Sequence, residues 1–111
     1  MIVKVYGLRG VIDARDLRQP IIQLLLSIKE FNCNDERGVT VLFPQDYLWT
    51  DNRVIIEVLG FSEKPKVLKK IANVLTKMVC TQMNKSGAHV LVETIVFPLN
   101  IRVCGYAIAR A

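Results

Sequence analysis

A short apolar stretch that returns half a chain later restricts the fold more than any other feature of this sequence. Ile2-Val3-Lys4-Val5-Tyr6-Gly7-Leu8 is answered 53 residues on by Ile55-Ile56-Glu57-Val58-Leu59-Gly60-Phe61. A second stretch, Thr40-Val41-Leu42-Phe43-Pro44, is answered 54 residues on by Thr94-Ile95-Val96-Phe97-Pro98. Apolar strands resemble one another by chance, so the weight rests on the matched Gly7 and Gly60, the matched Phe-Pro endings and the shared spacing. Two echoes at nearly one offset describe a duplicated unit.

Each unit reads as strand, helix, strand. Ile2 to Tyr6 is rich in β-branched residues, and Gly7 closes it at a turn. Asp13 offers an N-cap to a first helix whose apolar face is Leu17, Ile21, Leu24, Leu25 and Ile28. Pro20 is its misfit: the helix either begins near Arg18, leaving Pro20 in the first turn, or begins at Asp13 and bends. The polar run from Phe31 to Gly38 resets the chain, and Val39 to Phe43 is the second strand, stopped by Pro44. Gln45 to Asn52 is a loop holding Tyr47 and Trp49, an aromatic pair suited to packing against a neighbouring surface.

The second unit repeats the plan. Arg53 to Leu59 is nearly continuous in apolar residues, as befits a strand covered on both faces. Ser62 is positioned to cap a second helix with Pro65 in its first turn. Val67, Leu68, Ile71, Val74, Leu75, Met78 and Val79 form that helix's buried stripe, while Lys66, Lys69, Lys70, Asn73 and Lys77 face water. Gly87 ends the helix, and His89 to Phe97 is the fourth strand. The last residues, 99–111, have no counterpart in the first half and are suited to adding a strand to an edge, on this subunit or another.

The expected architecture is an α+β two-layer sandwich in one domain, with pseudo-repeats 1–52 and 53–98 and a strand-like tail. Right-handed β-α-β crossovers place both helices on one face of a four-stranded sheet. The opposite face is then bare. In a chain that is 51% hydrophobic, with a mean hydropathy of +0.30, a bare sheet face calls for a partner subunit.

Composition also narrows the function classes. No apolar run approaches the roughly 18 residues of a membrane span, and Lys4 and Arg9 interrupt any secretory leader, so the expected location is cytoplasmic. Cys33, Cys80 and Cys104 are scattered and odd in number, which points to reduced thiols and to neither a disulfide framework nor a metal site. The net charge of +5 is concentrated only at Lys64, Lys66, Lys69, Lys70 and Lys77. A solvated helix face accounts for that cluster better than a phosphate-binding surface does, and a nucleic-acid-associated module remains a further alternative. No phosphate-binding glycine loop, metal-binding helix motif or serine nucleophile elbow is present, and no cofactor is expected.

The tandem β-α-β halves, the strand Val54-Ile55-Ile56-Glu57-Val58-Leu59-Gly60-Phe61 leading into an amphipathic helix, and the closing Val96-Phe97-Pro98-Leu99 resemble an uncharacterised bacterial branch of the tautomerase superfamily, whose members include macrophage migration inhibitory factor. A ferredoxin-like sandwich shares the element order. The resemblance implies a homotrimer whose sheets surround a central channel, with small-molecule pockets between subunits. It also implies an amino-terminal proline as catalytic base or nucleophile, and here Ile2 occupies that place. That substitution argues against proline-dependent tautomerase activity and leaves a small-molecule-binding or structural role. The enzymatic alternative assigns enol-keto chemistry to Lys4, the α-amine or Tyr106.

The candidate pocket therefore comprises Ile2, Lys4, Glu57 and Tyr106. Lys4 and Glu57 hold matching positions in the repeat and meet across the sheet if the halves are related by a two-fold. Lys4 is then either half of a structural ion pair or a replacement amine. Glu93, matched with Val39 at the second offset, is a weaker candidate. His89 reads as a surface residue, and Cys104 as a buried thiol or a reactive one.

Overall fold

The computed structural model describes residues 1–8, 14–29, 36–44, 53–60, 64–97 and 107–110, the side chains of 107, 108 and 110 excepted. Five strands, β1 (Ile2–Tyr6), β2 (Thr40–Leu42), β3 (Arg53–Leu59), β4 (Leu91–Val96) and β5 (Ala107–Arg110), form one sheet in the order β2-β1-β3-β4-β5. Two helices, α1 (Ala14–Leu26) and α2 (Pro65–Lys85), pack on one side of it. β1 and β2 are parallel neighbours, as are β3 and β4, whereas β1 and β3 run antiparallel. Each β-α-β unit is thus intact, with no strand inserted between its two parallel strands. This distinguishes the sheet from the split β-α-β arrangement of a ferredoxin-like sandwich.

Strand register makes the duplication quantitative. In the first unit Ile2 pairs with Thr40 and Lys4 with Leu42; in the second, Ile55 pairs with Glu93 and Glu57 with Ile95. Every one of these pairs is separated by 38 residues, so the units superpose at a single offset of 53. The echo at 54 is therefore out of register by one. Thr40 corresponds structurally to Glu93, and Val41 to Thr94. A one-residue slip transfers a strand residue to the other face, and accordingly Thr40 is exposed while Thr94 is fully buried.

Alternation along the strands decides what lies inside. Val3, Val5, Val41, Val54, Ile56, Val58, Val92 and Val96 point toward the helices and meet Leu17, Ile21 and Leu25 of α1 and Leu68, Ile71, Leu75 and Val79 of α2 in one core. Among its polar members, Thr76 donates to Thr94 Oγ1 at 2.7 Å and lies 3.4 Å from the Ala109 carbonyl, tying α2 to β4 and β5. Residues of the tail thus close onto this chain's own sheet. β5 runs antiparallel to β4, with Thr94 opposite Ala109 and Ile95 opposite Ile108.

Local signals hold in type, and the differences are at element ends: β2 is limited to Thr40–Leu42, and the cap of α2 and the start of β4 also differ from expectation. α1 runs through Pro20 from Ala14, so the proline sits mid-helix and deprives the Asp16 carbonyl of its usual donor. α2 begins with Pro65, but Lys64 is the N-cap and its side chain does not cap the helix; Ser62 lies outside the described residues. At the far end Gly87, with φ of +81°, donates to Asn84 and Ala88 donates to Met83, both at 3.0 Å, the two bonds of a Schellman motif. β4 starts at Leu91, leaving His89 exposed ahead of it.

Candidate functional site

The strand residues that do not enter the core share the opposite face of the sheet. Ile2, Lys4 and Tyr6 of β1 stand beside Leu59, Glu57 and Ile55 of β3, and β4 adds Leu91, Glu93 and Ile95. No described helix covers them. Ile2, Leu42 and Leu91 are 39%, 43% and 38% exposed, and all three lie on this face; they are the large hydrophobic side chains most open to water among the described residues.

Charged residues of both signs sit within this apolar surface. Lys4 is opposite Glu57 in the β1–β3 register, and both side chains are half-buried. One strand further, Arg53 Nε lies 3.1 Å from Glu93 Oε1, in an ion pair whose acid is nearly buried and whose base is about half exposed. Arg53 occupies the first position of β3, so the same two-residue period that sets Glu57 on this face places Arg53 there. Sequence reasoning singled out Glu93 without its partner. The signal was the alternation Arg53, Ile55, Glu57, Leu59, combined with the 53-residue offset that puts Glu93 on the open face.

Three of the four candidate pocket residues, Ile2, Lys4 and Glu57, are brought together here; Tyr106 lies outside the described residues, as do Cys33, Cys104, Tyr47 and Trp49. The Met1 amine is engaged nearby, donating to the Gly38 carbonyl at 3.1 Å, while the Thr40 N–H donates back to Met1 at 2.9 Å. Cys80 is a free, partly buried thiol on α2. Among the described residues no group of three or more His, Cys, Asp or Glu could hold a metal ion. No described helix is long and apolar enough to cross a membrane. By register the face sets a lysine opposite a glutamate among apolar residues.

No protein-family model and no curated protein matches the chain. Among solved structures, the crystal structure of native Ps01740 is similar, with a TM-score of 0.57 over 88% of this chain and 95% of that chain, at 20% identity. At that identity the likeness is one of fold.

Proposed function

We propose that the chain is the subunit of a homotrimer of tautomerase-like fold that binds a small molecule, or serves structurally, without proline-dependent tautomerase activity. The observation that carries this reading is the apolar sheet face that no described helix covers, on which Ile2, Leu42 and Leu91 are open to water. Helices already cover the other side, so a second copy of the chain is the surface that removes this one from solvent. The unsplit β-α-β units, related by an offset of 53 residues, support the tautomerase resemblance over a ferredoxin-like alternative.

With Ile2 at the start of β1, the enzymatic alternative rests on Lys4, on this face, or on the α-amine; Tyr106 lies outside the described residues. The binding reading gives no acceleration of ketonisation of an enolpyruvate such as phenyl-enolpyruvate. An accelerated reaction that disappears in Lys4→Met, with assembly intact, would replace it with the enzymatic reading. Assembly is tested separately by Leu42→Glu/Leu91→Glu, which places two carboxylates on the open face. Native mass spectrometry is expected to show trimers for the parent and monomers for the variant, with unchanged helix content by circular dichroism; a parent that is already monomeric rejects the reading.

A further inference from the structure

The basic excess belongs mainly to one element. α2 carries Lys66, Lys69, Lys70, Lys77 and Lys85 in 21 residues and no acid. Among the described side chains of the open sheet face, by contrast, Lys4 and Arg53 are accompanied by Glu57 and Glu93. The helix turns about 100° per residue, which collects Lys66, Lys69, Lys70, Asn73, Lys77 and Asn84 into one longitudinal stripe. All six are exposed, and the apolar stripe of the same helix is buried in the core. From Lys66 to Lys77 the stripe extends ~16 Å along the axis, at 1.5 Å per residue. That length spans several phosphates of one strand at about 3.4 Å each.

From this placement we infer that the outer face of α2 binds the phosphate backbone of duplex nucleic acid without sequence preference. The stripe offers ammonium and amide donors, the groups that position proteins on phosphates. It includes no aromatic side chain for stacking on unpaired bases. It also includes no exposed large hydrophobic residue to enter a lipid surface, because those among the described residues lie on the sheet. Duplex backbone is therefore a better fit than single strands or a membrane. All the contacts come from one helix of one chain, so the inference does not depend on trimer assembly.

Fluorescence anisotropy of a labelled 20-base-pair DNA duplex, titrated with the full chain at several KCl concentrations, tests it. Three to four phosphate contacts give a slope of log K against log salt of about −3. Lys66→Gln/Lys69→Gln/Lys77→Gln is expected to lower affinity at least ~10-fold at 50 mM salt and to bring the slope to about −1 or shallower. Lys4→Gln, on the opposite face, is expected to leave both unchanged, and the triple variant is expected to assemble as the parent does. Absence of duplex binding at 50 mM salt, a slope near zero, or a parental slope in the triple variant would each overturn the inference. Binding to phosphatidylserine vesicles without binding to duplex would overturn it in favour of a membrane surface.

Discussion

Lys4 pairs across the β1–β3 seam with Glu57, its own counterpart in the other half of the repeat. Ile2 pairs with Leu59, and Tyr6 with Ile55, so the two-fold relating the halves passes between Lys4 and Glu57. A strand that pairs antiparallel with its duplicate must bring one residue opposite its equivalent. Here that residue is basic in one copy and acidic in the other, so the register opposes unlike rather than like charges. Cross-strand pairs of opposite charge contribute roughly 0.2–1 kcal/mol. A double-mutant cycle with Lys4→Ala and Glu57→Ala, read by urea unfolding, is expected to give a coupling in that range. Lys4→Glu, which restores like charges, is expected to destabilise more than Lys4→Ala.

Gly7 and Gly60 also correspond, yet they are not equally replaceable. Both have positive φ, +88° and +75°. A Cβ on Gly7 would collide with the Arg53 carbonyl oxygen, whereas one on Gly60 would meet open space. Gly60→Ala is expected to cost ~1–2 kcal/mol from the left-handed backbone alone. Gly7→Ala adds a backbone clash of about 1–3 kcal/mol. Equal losses in the denaturation midpoint for the two variants would show that the approach of Gly7 to β3 is not required.

The buried hydroxyl pair between α2 and β4 provides a third test. Thr76→Val removes the donor to Thr94, which is fully buried, and is expected to cost ~1–3 kcal/mol. Thr76→Val/Thr94→Val replaces both hydroxyls with methyl groups, so its loss is expected to be smaller than the sum of the single losses. Strict additivity in thermal or chemical unfolding would contradict the shared bond.

These tests rest on features that the sequence displayed to different degrees. Arg53 to Leu59 was legible to the residue, because β-branched residues without a turn signal have few alternatives. The matched strands and helices were enough to place both helices on one face of the sheet. Phe43-Pro44 and Phe97-Pro98 misled by one residue: matched letters suggested an offset of 54, while hydrogen-bond register fixes 53 and exchanges the faces of Thr40 and Thr94. Identity of side chains reports composition, whereas register is set by which face must be buried. The destination of the tail was open for the same reason, since an apolar strand suits any free edge; pairing with β4 is decided by tertiary contacts that include Thr76 and Ala109. Lys4 and Glu57 were visible as a pair through the repeat. Arg53 was not, because a terminal arginine on a strand declares its partner only once the neighbouring strand is aligned.

Sedimentation equilibrium of the unaltered chain at micromolar concentration addresses the proposed assembly itself, in which another copy covers the face of Ile2, Leu42 and Leu91. A homotrimer sediments as a single species at three times the 12.6 kDa chain mass, independent of loading concentration. A single species at 12.6 kDa across the same range would contradict it.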